Sequence, residues 1–473
     1  MTPTTPATPM ASPAPEPHTL PGELFDLLAA GGGGARAVHA LAAGERSRRL
    51  LVLRDVVATA RAGHADAEVT GRAYALLGEL ARAAPAALDE VISYPAVGAW
   101  ALITLRRLVR GDPEADPARL AAIAAAVAAR GRIPSTITVR ATRDGVMLPS
   151  LGLARFPGAY PGQEAVVRVT PATTVVVLGD RTVPVPRSPR VEDDDWLGLC
   201  RIAVGAADRA AELVLDDVDP YRFPAFPTRG RCAPRLPADR VDRWRRVIGA
   251  GDRLLTGPLA YAADELRAGT RMLVPLVSPR IVSASSSLSI GCVALSLPPS
   301  PLAAARTLMH EMQHGKLSAL MTLFPLIAEP TDERFYAPWR DDPRPLAGLF
   351  QGAYAHLGIA RFWARRCEVE TEPEAALYAQ TELARWRRAA LETTEVLLRT
   401  RRFTALGERF LRGMRASLTS LARIPVAAAA EAAAAALSAR HRTRWLRAHG
   451  ADADASEGLG FRPASSAPRS DEG

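Results

Sequence analysis

Residues 307–326 read TLMHEMQHGKLSALMTLFPL, and the spacing His310-Glu311-x-x-His314 inside them sets the firmest structural demand in the chain. Positions i and i+4 of an α-helix lie about 40° apart around the axis and about 6 Å apart along it, so imidazoles at that spacing converge on one cation. Glu311 sits about 100° from His310, near enough to reach a metal-bound water, a substrate or the metal itself. Ser300 suits an N-cap and Pro301 the first helical position, so the helix is expected to start there and run to about Phe324, ahead of Pro325. A metal pair on a helix, with few strands around it, predicts a mainly α fold with a small β component (α+β). Its core is a helical metal-binding unit carrying HExxH and not a jelly roll.

The 473 residues, 48% of them apolar, suffice for two or three domains with ample core. Residues 1–20 are rich in Pro, Thr and Ala, lack a hydrophobic period and read as a disordered tail. Residues 21–132 read as a helical N-terminal region, with GELFDLLAAG, ARAVHALAAGERSRRLLVLRDVVATAR and EVTGRAYALLGELARAAP as segments. Over 133–195 the runs STITVRAT, EAVVRVT and TTVVVLGDRTVPV, bounded by Gly and Pro, predict a small sheet with hairpin connections. Residues 196–422 form the expected catalytic, metal-binding domain. Helices are expected at Leu197–Leu215 and in DRVDRWRRVIGAGDRLLTGPLAYAADELRAG, and short strands in RMLVPLVSP, IVSASSSLSI and CVALSLP. Beyond the motif, helices are expected near 346–366, 374–399 and 404–422, then a C-terminal helix within 423–450 and a flexible tail at 451–473.

Charged residues interrupt every apolar segment before the roughly 18 to 20 residues of a membrane span. The first residues have neither the basic nor the apolar region of a signal peptide, so a cytoplasmic protein is the expectation. Cys200, Cys232, Cys292 and Cys367 form no C-x-x-C pair and read as free structural thiols. The net charge of +9 invites a nucleic-acid partner. Yet Lys316 is the only lysine, asparagine is absent, and the arginines are dispersed without interleaved aromatics, so coding bias explains the charge and nucleic acid is not expected. Glu192, Asp193, Asp194 and Asp195 read as a solvated acidic turn, with a hard-cation site as the competing reading. His39 and His64 read as exposed or packing residues, and His18, His441 and His449 lie too near the ends to be good ligands.

The third ligand decides which metal the pair would hold. A metzincin needs Gly and His where this chain has Leu317 and Leu320, and the Asn-Glu signature of many gluzincins is impossible without asparagine. Glu329, Glu333 or Glu368 would complete an ordinary zinc site. His356 is the best downstream candidate, on an inward stripe with Leu346, Leu349, Ala353, Ala360 and Trp363, where a plain core histidine is the other reading.

HEMQHGKLSALMTLFPL together with FYAPWRDDPRPLAGLFQGAYAHLGIARFW closely resembles the HExxH-type, 2-oxoglutarate-dependent peptide β-hydroxylases of bacterial ribosomal-peptide maturation. The resemblance is strongest over 270–365, with weaker echoes in VISYPAVGAW and RRFTALGERF. Some members are fused to, or encoded beside, a radical-SAM peptide-cyclising maturase. This chain lacks the C-x-x-x-C-x-x-C triplet and would be the stand-alone oxygenase. The resemblance implies Fe(II) on His310 and His314, with His356 as candidate third ligand and Glu311 beside them. Three ligands on one face leave room for a chelating 2-oxo acid and O2. It also implies a cation for the distal carboxylate of 2-oxoglutarate, for which Arg344 and Arg340 are nearest in sequence. Tyr336, Gln351 and Tyr354 are further candidates for orienting co-substrate or a ribosomal precursor peptide. The alternatives are a zinc-dependent peptidase with Glu311 as general base, and a non-catalytic peptide-binding scaffold with a closed structural metal.

Overall fold

In the computed structural model, which describes residues 18–188, 192–205, 210–224, 230–256 and 259–449, the motif helix runs Pro301–Leu323. Ser300 Oγ accepts the Ala303 backbone N–H at 3.2 Å and Pro301 opens the first turn, as their residue types require. Thirteen α-helices and four sheets surround this element among the described residues, so the fold is mainly α with a small β part. The tails expected at 1–20 and 451–473 fall outside the described residues except for 18–20. No single described helix is long and apolar enough to cross a membrane.

Helices Gly22–Ala29, Gly34–Arg61, Ala67–Ala83, Pro85–Ile92, Pro95–Val109 and Leu120–Gly131 build the N-terminal region. An antiparallel sheet of Ser135–Arg140, Glu164–Val169, Thr174–Leu178 and Arg181–Pro184, in that order, packs against them through alternating buried residues such as Val139 and Val167. A second small sheet pairs Gly145–Leu148, Gly152–Arg155 and Trp196–Gly198. It crosses the boundary expected at 195. The cause is the buried Trp196 indole, which lies so close to Gly152 that a Cβ there would meet the ring at 2.7 Å.

Among the described residues of Leu197–Leu215 the expected helix is not formed. Its residues make the strands Trp196–Gly198, Cys200–Val204 and Ala211–Leu215. Ile202 and Val204 face the core together with Leu213 and Leu215, a period of two that sheet pairing enforces over the helical tendency of the alanines. These strands extend a larger sheet whose order is Ser283–Ala284, Cys292–Leu295, Met272–Val277, Ala211–Leu215, Cys200–Val204, with Arg231–Cys232 on the end of Met272–Val277. The three central strands run parallel, and Cys292–Leu295 and nearly all of Met272–Val277 are buried, as parallel strands covered on both faces should be. The chain leaves Leu295 and enters the motif helix within a few residues.

The motif helix belongs to two cores at once. Its first half packs Leu308, Met309 and Met312 against Leu273, Val293, Phe362 and Trp363. Its second half packs Leu317 and Leu320 with Leu28, Phe350, Tyr354 and Phe410. Lys316 lies on the same helix, only 4% exposed, and its Nζ donates to Glu265 Oε2 at 2.7 Å and to the Gly32 carbonyl at 3.1 Å. Glu265 Oε1 accepts the Gly34 N–H at 2.9 Å, so one buried pair ties the motif helix, the helix Ala260–Gly269 and the N-terminal turn. Breaking such a pair on one side strands a buried charge and typically costs about 3–5 kcal/mol. Lys316→Met is expected to lose about that much in urea unfolding, and Lys316→Met/Glu265→Gln to recover a large part of it. A double variant no more stable than Lys316→Met would show the pair to be uncoupled.

Candidate active site

The helix Leu346–Val369 packs on the motif helix, with Gly358 at the contact, where a Cβ would meet Gln313 Cγ at 2.5 Å. Gly352 instead makes room for the Trp339 indole, whose Nε1 a Cβ there would meet at 2.5 Å. This approach carries His356 to the motif histidines. His310 and His314 direct their Nε2 atoms to within 3.2 Å of each other, and the His356 ring centroid stands 5.2 Å from that of His310. The structure therefore gathers all three imidazoles into one cluster, with His310 in the middle.

Hydrogen bonds orient two of the rings. His314 Nδ1 donates to Gln351 Oε1 at 3.0 Å, while Gln351 Nε2 donates to Ser318 Oγ at 3.2 Å. His356 Nδ1 donates to the Gly352 carbonyl at 2.8 Å. With Nδ1 as the donor in each of these bonds, Nε2 is the ring nitrogen left to face a cation. Burial, followed by the neighbouring His310, pushes His356 well below the usual imidazole range, against the opposing effect of Gly352. The His356 ring is stacked on Trp339 at 4.2 Å and 15°, with the Trp386 ring 4.7 Å away, whereas His310 and His314 are half-buried. Glu311, 2% exposed, accepts the Ser283 hydroxyl on Oε1 at 2.7 Å, and its Oε2 is buried with no protein hydrogen-bond partner.

These residues fit a divalent cation. Two nitrogens 3.2 Å apart can both stand about 2.1 Å from one ion, subtending an angle of roughly 100°. A neutral third imidazole adjoins His310, and the partly exposed pair leaves access for exogenous ligands. Among the described residues no three or more His, Cys, Asp or Glu side chains stand as a ready-made metal cage. The convergent set is the pair, with His356 one ring contact away.

The other expected residues make contacts of their own. Arg340 and Arg344 both bond Asp342, at 2.8 and 2.9 Å, two residues from each of them. Tyr354 is fully buried and donates to the Leu28 carbonyl at 2.6 Å, so it braces the N-terminal helix Gly22–Ala29. The Tyr336 hydroxyl lies 2.9 Å from His441 Nδ1, under the C-terminal helix Ala428–His449. The carboxylates considered as zinc ligands are in ion pairs, Glu329 and Glu333 with Arg402 and Glu368 with Arg365. In the acidic turn, Glu192 binds Arg235, Asp195 binds Arg181, and Asp193 accepts backbone N–H groups. His39 is exposed and His64 faces Asp66. The four cysteines are free. Sequence reasoning missed Trp339, Ser283 and Trp386. Trp339 lies inside the block FYAPWRDDPRPL, but Trp386 sits on the distant helix Pro373–Arg399, where no motif marks it.

The depressed His356 has a consequence for stability. The unfolded chain takes up a proton at this ring near pH 6.5, while the folded chain does so only at lower pH. The contribution is complete above about pH 6.5 and is lost as pH falls toward the folded value, at no more than about 1.4 kcal/mol per pH unit. Thermal unfolding of chelator-treated protein is therefore expected to soften between pH 7.5 and 5, and His356→Gln to flatten that part of the profile. An unchanged profile in His356→Gln would assign the softening to other groups.

No known protein-family model matches the chain, and no curated protein matches it either.

Proposed function

We propose that the chain is an Fe(II)- and 2-oxoglutarate-dependent oxygenase that hydroxylates the β-carbon of a side chain in a ribosomally made precursor peptide. The observation that supports it most is the convergence of His310 and His314 Nε2 at 3.2 Å beside a neutral His356, on a face with open access. In this reading His310, His314 and His356 hold the ion. A bound ferrous ion supplies oxidation with O2 and the 2-oxo acid as co-substrates. Gln351 fixes the His314 ring and Gly352 fixes that of His356, so both present a lone pair. Trp339 and Trp386 keep water from the His356 side. Glu311 offers Oε2 as an acceptor to whatever binds next to the pair. Arg340 and Arg344 share the single carboxylate of Asp342, which leaves a net positive charge for the distal carboxylate of the 2-oxo acid.

The strand Ser283–Ala284 ends the sheet order and reaches Glu311 through Ser283, so an extended peptide adding to that side would run past the histidines. The proposed setting is the cytoplasm, with a radical-SAM maturase acting on the same precursor, as in the family that the sequence resembles. A zinc peptidase is the second reading, favoured by one observation. The unpaired Glu311 Oε2 suits a general base, and with Glu329, Glu333 and Glu368 engaged it would use the same three histidines.

Anaerobic protein given Fe(II) and then 2-oxoglutarate is expected to develop the weak visible charge-transfer band of a chelated complex, and His314→Ala to lose it. Absence of the band at full iron loading, with tight stoichiometric zinc and peptide cleavage abolished in Glu311→Gln, would establish hydrolysis instead. Gln351→Leu, which leaves the His314 ring unanchored, is expected to weaken metal binding by about 10–100-fold in a competition titration. Unaltered affinity would mean that the ring needs no such support.

A further inference from the structure

A cleft of about 310 Å³ opens between the helices Ala260–Gly269, Leu346–Val369 and Ala405–Ala422. Arg361 and Arg365, which line it, stand about 140° and 180° around their helix from His356, so the cleft lies apart from the candidate active site. Ala364, Leu421 and Ile424 give it apolar surface, and Arg361, Arg365 and Tyr261 give it hydrogen-bond donors. Arg361 is half-buried. Its Nη1 donates to the Ala30 carbonyl at 2.9 Å and its Nε to the Tyr261 hydroxyl at 3.3 Å, while Nη2 has no hydrogen-bond partner among the described residues. The Tyr261 oxygen accepts from Nε and so keeps its own proton to donate. No carboxylate of the described residues pairs with Arg361. Glu265 is held by Lys316 at 2.7 Å, and Glu368, the one carboxylate in the lining, by Arg365 at 2.9 Å. Two guanidinium groups against one carboxylate leave the lining with one positive charge unmatched.

We propose that this cleft binds a small monocarboxylic acid with an apolar tail. A carboxylate brings one negative charge, equal to the one left unmatched, and two acceptor oxygens that arginine N–H groups bond well. Arg361 offers Nη2 and Tyr261 its hydroxyl proton, so the head group meets donors that no protein acceptor occupies. Arg365, half-exposed, adds charge while it holds Glu368. The tail lies on Ala364, Leu421 and Ile424. The volume is at the lower end of the roughly 300–1,000 Å³ of small-molecule sites, so the acids that fit are short. A phosphomonoester, with nearly two negative charges, would leave the cleft overcompensated. The inference is independent of the metal and of the reaction proposed above.

The test compares two probes of equal length on the full chain, hexanoate and its neutral counterpart hexanamide. Affinities are read by ligand-observed NMR titration at constant ionic strength. The wild type is expected to prefer hexanoate by about 10–100-fold, the range of one charge-assisted hydrogen bond. Arg361→Gln should bring the ratio close to one. Because Arg361 also supports the Ala30 turn, Arg365→Glu is the second variant: it leaves the Arg361 bonds in place, reverses a half-exposed charge, and should weaken hexanoate by at least about 10-fold with hexanamide binding and melting temperature unchanged. If the wild type shows no preference for hexanoate, or if either variant keeps the wild-type ratio, the inference is overturned. Inorganic phosphate binding more tightly than hexanoate would overturn the carboxylate assignment. None of these results bears on the oxygenase reading, which the iron titration tests separately.

Discussion

The burial of one helix on all but a narrow strip of its surface is the constraint on which the remaining architecture depends. The motif helix donates Leu308 and Met312 to one core and Leu317 and Leu320 to another, and a single lysine, the only one in the chain, is spent inside the protein to pin it. Close packing of this kind resists rotation, because turning the helix by even a fraction of a turn would break contacts on both sides. What remains uncommitted is the strip bearing His310 and His314. The direction of that pair is therefore a property of the whole core.

The second helix of the site contributes its histidine under different terms. His356 is buried between an indole and another imidazole, and burial keeps it uncharged near neutrality. The room for that indole exists only because residue 352 is glycine, whose carbonyl also holds the ring in place. One backbone position thus sets both the depth and the tautomer of the third imidazole. Two half-exposed rings and one buried ring give the cluster an inner and an outer side, and an incoming ligand can approach only from the outer one.

Local rules carried the parts that local sequence controls. The Ser300 cap and the Pro301 start placed the motif helix, and Gly- and Pro-bounded runs of Val and Thr placed the hairpin sheet. The inward stripe of the second helix marked His356 as buried. Long-range pairing was not legible. Leu197–Leu215 has an alanine-rich stretch but strand partners, and Trp196 joins a sheet that begins at Gly145, where Gly152 leaves room for its indole. Arg344 stands just before the helix that carries His356, and Asp342 two residues back meets it at 2.9 Å, a local pairing that the sequence interval allows. Trp386 reaches the site from the helix Pro373–Arg399, a meeting created by packing and by no spacing in the sequence.

The strand that orients Glu311 is only two residues long. Ser283 faces Leu295 and Ala284 faces Ala294 in the pairing, with Ala284 turned into the core and Ser283 turned toward the carboxylate. Side chains on a strand alternate faces, so a slip of one residue would withdraw the hydroxyl from Glu311 and leave both of its oxygens unanswered. The loss in packed area would be slight, since a small residue would replace a small one. The length of the connection between Ala284 and Cys292 is therefore a chemical parameter as much as a structural one. Insertions and deletions there would be felt by the aim of one carboxylate long before they were felt by the fold.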